Sequence, residues 1–219
     1  MTIEITIQNK PIKGNVLIAK YDSGNPPQIL NGAVFAVYRD VNGDKKFTGG
    51  TDELLGNMTE SSAGIHEYKD LLYGDYLTRE IKAPEGYTID RNYYAFSIKK
   101  DGETVKVGNN ADGNFYNKDI KGNIEGVKVG KSDEPLSGAV IGLFSDGESD
   151  FTAENALAAV TTEKDGKFIF KDIVYGKYIV AEIQSPTGYI LTEETFPVSI
   201  SKNCLLYTSP SPRDLSTSR

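Results

Sequence analysis

The 219-residue chain has one cysteine, one histidine and no tryptophan. A single thiol, Cys204, leaves no intrachain disulfide, so stability at a cell surface cannot come from that source. A single imidazole, His66, excludes a histidine-based metal set and a Ser–His–Asp triad, and His66 itself reads as a strand surface residue. No apolar run approaches the ~20 residues of a membrane-spanning helix, so no membrane insertion is expected within this fragment. Basic residues are outnumbered, 24 against 31 acidic, for a net charge of −7. That balance argues against a nucleic-acid partner. No secretion signal or anchor is visible, no glycine-rich phosphate loop is present, and no cofactor is expected.

What the chain does have is glycine, tyrosine and an internal repeat. Asn9-Lys10-Pro11-Ile12-Lys13-Gly14-Asn15 returns 108 residues later as Asn117-Lys118-Asp119-Ile120-Lys121-Gly122-Asn123. After each Gly-Asn comes a strand, Val16 to Lys20 or Ile124 to Lys128, and both lysines fall eleven residues past their Asn. Lys131 is a rival to Lys128, and the matched offset favours Lys128. Leu30-Asn31-Gly32-Ala33 and Leu136-Ser137-Gly138-Ala139 follow, then a variable excursion. In the second copy the excursion leads into Thr162 to Phe170, read as a hairpin on its Asp165-Gly166 pair, and Thr152 to Ala159 is the only helical candidate. Next comes the strongest match. Tyr73-Gly74-Asp75-Tyr76 runs on to Glu80 and Pro84-Glu85-Gly86-Tyr87, and Tyr175-Gly176-Lys177-Tyr178 runs on to Glu182 and Pro186-Thr187-Gly188-Tyr189. Short strands with Gly, Pro and Asn punctuation predict an all-β fold of two tandem sandwiches.

Period-2 alternation places three polar side chains of the first copy among apolar neighbours: Lys20 with Val16 and Ile18, Glu80 with Tyr76 and Thr78, and Asn117 with Phe115. Burial lowers a lysine pKa and raises a glutamate pKa. A neutral amine beside a neutral acid can react with a carboxamide: the amine attacks, Glu80 shuttles the protons, ammonia leaves and an isopeptide bond remains.

These motifs, in this order, resemble the CnaB-like domains, including the SpaA-type pilin domains of Gram-positive surface adhesins and pili. The resemblance covers most of residues 14–203. It implies two reverse-immunoglobulin, prealbumin-like sandwiches at the bacterial cell wall, with an autocatalytic cross-link between first and last strands. Lys20 would be the nucleophile, Asn117 the acceptor and Glu80 the catalytic carboxyl, with Lys128 and Glu182 matching in the second copy. Such a reaction is a single-turnover self-modification, not an enzyme activity, and a hydrolase is disfavoured by the lack of a nucleophile–base pair. The implied function is a stalk or shaft module whose partners are neighbouring domains of the same stalk. The alternative is an adhesin module that contacts a host protein or glycan through its excursions, residues 39–62 and 145–160.

The expected boundaries are a complete domain at 14–120 and a second at 121–203 that lacks its last strand. Residues 1–13 read as the last strand and linker of a preceding domain, since Ile3, Ile5, Ile7 and Asn9 alternate onto one face. Asn9 and Lys128 are thus isopeptide candidates without a partner here. From Cys204 onward the chain resembles the in-frame translation of a sequencing-library adapter and is set aside as residues 204–219. Asp40, Asn42 and Asp44 resemble the opening of a calcium loop, but Lys45 stands where such a loop needs glycine.

Overall fold

The computed structural model describes residues 3–201. The adapter-like stretch and Asn203 lie outside them. The described residues form strands, turns and loops without a helix, divided into one unit that runs to Asp119 and another that starts at Ile120.

The first unit contains β1 (Lys13–Asp22), β2 (Val34–Arg39), β3 (Glu53–Asn57), β4 (Thr59–Ser62), β5 (Ile65–Leu72), β6 (Gly74–Lys82), β7 (Tyr94–Ile98), β8 (Thr104–Lys106) and β9 (Phe115–Asn117). One sheet is ordered β4-β5-β1-β8, with β9 also pairing β1, and the other β3-β2-β6-β7. Met58, the single residue between β3 and β4, carries the chain from one sheet to the other. Its side chain joins Val16, Ile18, Phe35, Val37, Tyr76, Ile98 and Phe115 in one buried core.

The second unit contains β10 (Lys121–Val127), β11 (Val140–Ser145), β12 (Ala158–Thr161), β13 (Lys167–Val174), β14 (Gly176–Gln184) and β15 (Thr195–Ile200). Strands β10 and β13 form one sheet, and β12-β11-β14-β15 the other. Ile124, Ile141, Leu143, Phe170, Val180 and Ile200 are buried together.

The repeated sequence motifs have matching structural causes. Gly14 and Gly122 sit where another strand passes close. A Cβ at Gly14 would lie 2.8 Å from the Glu103 carbonyl oxygen and 2.9 Å from Ile98, and one at Gly122 would lie 3.0 Å from Ile200. The next residue, Asn15 or Asn123, accepts from the backbone N–H of Asp70 or Asp172 through its side-chain oxygen, at 3.2 and 3.1 Å. Those aspartates hold φ of 60° and 57°, at the bulge where β1 meets β5 and β10 meets β13. In Tyr-Gly-x-Tyr the second tyrosine folds back over the glycine. Tyr76 donates to the Leu72 carbonyl at 2.6 Å and Tyr178 to the Val174 carbonyl at 2.9 Å. The Pro-x-Gly-Tyr turns close through Tyr87 N–H to Pro84 C=O (3.2 Å) and Tyr189 N–H to Pro186 C=O (3.1 Å). Gly86 and Gly188 supply the positive φ, 83° and 87°, that a type II turn demands.

Four expectations change. Residues 3–9 form no strand among the described residues, and Ile3, Ile5 and Ile7 are exposed, because alternation makes a strand only where an edge is offered to pair with. Thr152 to Ala159 forms a turn followed by the start of β12, whose β-branched Val160 and Thr161 favour the sheet. The Asp165-Gly166 turn forms, closed by Glu163 N–H to Lys167 C=O at 3.0 Å, but its arms enter different sheets: β12 pairs β11 and β13 pairs β10. It is a corner between the sheets, not a hairpin. His66 is buried, 1% exposed, and packs edge-on against Phe35 at 5.1 Å. Alternation puts Ile65 on one face of β5 and Tyr68 on the other, so neither face is marked as the inner one, and the register against Ile18 turns His66 inward.

Candidate functional site

Lys20, Glu80 and Asn117 come from three strands and meet in the first unit. Lys20 is 0% exposed near the end of β1, Glu80 is 0% exposed on β6, and Asn117 is 3% exposed at the end of β9. Parallel pairing of β1 with β9 sets Lys20 opposite Phe115 and Asp22 opposite Asn117. Alternation then gives Lys20, Phe115 and Asn117 one shared face. The backbone of Lys20 is fixed on both sides: its N–H donates to Gly64 C=O at 2.7 Å and its C=O accepts from Leu30 N–H at 3.0 Å. Its Nζ donates to the carbonyls of Tyr21 (3.0 Å) and Phe115 (3.4 Å) and lies 5.5 Å from the Phe115 ring centroid.

The Asn117 carboxamide is held by the acid. Nδ2 donates to both oxygens of Glu80, at 2.8 and 3.0 Å, while Oδ1 is buried without a hydrogen-bond partner. Glu80 Oε2 also accepts from the backbone N–H of Asp90 at 2.9 Å. Burial pulls the Lys20 ammonium down to about 8, against the opposing pull of Glu80, Asp22 and Asp90. Burial likewise pushes the Glu80 carboxyl above the usual range, against the Asp90 N–H, Asn117 and Lys20. Burial therefore shifts both groups toward their uncharged forms.

In the second unit Glu182 is buried on β14, and its Oε1 lies 3.1 Å from Lys128 Nζ. Lys128 falls just past the end of β10, yet its backbone is fixed as that of Lys20 is. Its N–H donates to Gly166 C=O (2.8 Å) and its C=O accepts from Leu136 N–H (2.9 Å). That repetition assigns Lys128, not the exposed Lys131, as the counterpart of Lys20. Among the described residues no carboxamide takes the place that Asn117 takes beside Glu80. Asn9 is exposed, outside any strand.

Asp40, Asn42 and Asp44 turn their oxygens to their own loop. Asp40 accepts from the N–H groups of Gly43 and Lys45, Asn42 from Asp44, and Asp44 from Lys46. Among the described residues no cluster of acidic, histidine or cysteine side chains could hold a metal ion. The sequence reading missed Asp90. The signal that could have found it is the repeat itself, because Thr192, ten residues past Glu182, donates its N–H to Glu182 Oε2 at 3.1 Å as Asp90 does to Glu80.

The SpaA family, described as a prealbumin-like fold domain, matches residues 14–112 and 122–209. The chain belongs to this family. The chain is similar to the trypsin-resistant surface T6 protein of Streptococcus pyogenes serotype M6, with 34% identity over 68 residues, which is 31% of this chain and 12% of that protein. Among solved structures, the Bacillus anthracis TIE protein superposes with a TM-score of 0.68 at 29% identity, covering 87% of this chain and 31% of that one. A C-terminal fragment of the pilus adhesin SpaC from Lactobacillus rhamnosus GG shares the fold, with a TM-score of 0.51 at 14% identity over 88% of this chain and 82% of that one. This SpaA-family chain thus spans about a third of the TIE structure and a smaller share of the T6 protein.

Proposed function

We propose that the first unit is a self-cross-linking shaft module of a Gram-positive surface or pilus protein, displayed outside the cell and coupled to neighbouring domains of the same stalk. One observation carries this reading: Glu80, buried and with its pKa raised by that burial, holds the carboxamide of Asn117 next to the strand that presents Lys20. A half-turn of that carboxamide about Cβ–Cγ would place Oδ1 on the Glu80 O–H and satisfy the oxygen now unpaired. The neutral Lys20 amine attacks Cγ as Glu80 gives its proton to Oδ1. Glu80 then moves an amine proton to the departing nitrogen. The new C–N bond to Lys20 stays, the bond from Cγ to Nδ2 breaks as ammonia leaves, and Oδ1 returns its proton to Glu80 as the C=O re-forms. Prepositioning of the groups replaces a bimolecular encounter.

The benefit is mechanical. The bond would join β1 to β9, so tension would pass along covalent bonds and not through sheet hydrogen bonds. The loop reading has less support. Ala36 and Leu77 are buried although they alternate onto the outer face of their sheet. The first excursion spends Phe47 on stacking against Tyr93 and meeting Tyr38 edge-on, and the second spends Phe151 on Phe144. Intact mass of the full chain tests the proposal. Condensation loses about 17 Da as ammonia, and peptide mapping should join the Lys20 and Asn117 peptides. Folded protein with those two peptides separate would refute it.

A further inference from the structure

β9 is only three residues long, yet it carries the acceptor. Phe115 and Asn117 face the site, and β1 takes one edge of the strand. The other edge is taken by a side chain. Asn109 Nδ2 donates to Tyr116 C=O at 2.8 Å, and Asn109 Oδ1 accepts from Tyr116 N–H at 2.8 Å. A carboxamide carries the same donor and acceptor as a peptide unit, so Asn109 serves as a one-residue surrogate strand. Its orientation is fixed by Asp90, whose Oδ2 accepts from Asn109 Nδ2 at 3.1 Å and from Tyr94 O–H at 2.6 Å. Asp90 Oδ1 accepts from the N–H and Nδ2 of Asn92. The neck of the loop is closed by Asn109 N–H to Asn114 C=O at 3.1 Å, over Gly108, where a Cβ would lie 2.2 Å from the Asn114 oxygen.

A ring of hydrogen bonds results. It runs from Glu80 to the Asp90 backbone, through the Asp90 side chain to Asn109, on to the Tyr116 peptide, and from the adjoining Asn117 back to Glu80. We propose that Asn109, oriented by Asp90, is a positioning residue for the cross-linking reaction, setting the register of β9 so that Asn117 meets Glu80 and Lys20. This rests on the isopeptide reading above. The acid arm is not repeated in the second unit, where Thr192 stands at the matching place.

The test follows the reaction from the full chain, recovered unfolded from inclusion bodies, diluted into buffer and quenched at intervals. Intact mass and peptide mapping report the Lys20–Asn117 link. Asn109→Ala should slow linking roughly 10- to 100-fold, the scale expected when reacting groups are misplaced by about an ångström. In an unlinked Lys20→Ala background the same change should leave the folded circular dichroism spectrum intact. Asn109→Asp supplies the second readout. Its carboxyl, facing Asp90, keeps an O–H donor and an acceptor only when protonated. Its rate relative to the parent chain should therefore rise as pH falls, while the Asn109→Ala ratio stays flat. Linking of Asn109→Ala at the parent rate would overturn the positioning role alone. If Asn109→Ala does not fold, a flat Asn109→Asp ratio would overturn it. A parent chain that folds and never links would overturn the isopeptide reading and this one together.

Discussion

Glu80 binds the side chain of Asn117 through both carboxyl oxygens, at 2.8 and 3.0 Å, across 37 residues of sequence. Its counterpart Glu182 lies instead 3.1 Å from the ammonium of Lys128. The two carboxyls receive the same backbone N–H support, from Asp90 and Thr192. The difference is the amide partner. Glu80→Gln keeps the shape of the acid and loses its transferable proton. It should leave the Lys20–Asn117 link unformed in the full chain, read by peptide mapping. Closing a loop of about 97 residues is worth on the order of 4–5 kcal/mol by the disulfide analogy. The first unit of the variant should therefore melt on the order of 20–30 °C lower by calorimetry.

The pH dependence follows from Lys20. Its pKa in the fold is about 8, below the ordinary 10.5, so near neutral pH only about one amine in ten is uncharged. The linking rate should rise as pH climbs through about 8, provided Glu80 keeps its proton. In an unlinked Asn117→Ala chain the same shift acts on stability. Between about 8 and 10.5 the unfolded chain binds more protons than the folded one, so stability should increase across that window, by up to roughly 3 kcal/mol. Urea titrations at several pH values would check both sign and window. Glu80 works on the acid side: its raised pKa contributes stability that is present below 4.5 and lost as pH rises through its folded value.

Gly14 and Gly122 occupy equivalent places with unequal room. A Cβ at Gly14 would meet the backbone oxygen of Glu103 at 2.8 Å as well as Ile98, whereas one at Gly122 would meet the flexible end of Ile200 at 3.0 Å. Gly14→Ala should cost its unit roughly 1–3 kcal/mol, as overpacking against backbone does. Gly122→Ala should cost less. Thermal melts of the two variants, each compared with the parent transition of its own unit, give the ranking.

Much of this arrangement was legible in the sequence because the chain states it twice. Lys20, Glu80 and Asn117 each stood at a core-facing parity position and at a matched offset in the repeat, two signals that do not depend on each other. What escaped notice lacked one or both. Asn109 acts from the neck of a loop, where no periodicity marks a side chain that pairs with backbone. His66 sits in a strand that mixes apolar and polar residues on both faces, Ile65 and Leu71 on one and Tyr68 and Leu72 on the other, so parity could not choose between them. Residues 3–9 had a strand's alternation but no edge to pair with among the described residues. Asp40 looked like a cation ligand because sequence does not show that its oxygens are occupied by Gly43 and Lys45.

That occupancy predicts indifference to calcium. The Asp40 carboxylate, 6% exposed, takes both its N–H donors from its own loop, and Asp52 does the same for Val41 and Thr48. Millimolar calcium should leave the melting temperature of the first unit unchanged beyond the effect of ionic strength. Asp40→Ala should lower it, by about 1–3 kcal/mol in stability, since two backbone donors lose their acceptor. A calcium-dependent rise abolished by Asp40→Ala would show instead that the loop is a metal site.

His66 offers the opposite sign of substitution. Its Nε2 is buried with no hydrogen-bond partner, and its ring packs on Phe35. Burial holds its pKa below 6.5, with Lys20 adding to the shift and Glu60 opposing it. A histidine with a lowered folded pKa must gain a proton on unfolding below pH 6.5, so this group should cost the fold stability as pH falls beneath that value. His66→Leu replaces the orphaned nitrogen with apolar atoms of similar reach. At pH 7 it should be neutral or stabilising by up to about 1 kcal/mol, because no satisfied hydrogen bond of Nε2 is lost. The gain should widen between pH 6.5 and 5 as the parent chain weakens and the variant does not. A variant less stable than the parent at pH 5 would mean that the imidazole has a partner in the folded protein and that its burial is compensated.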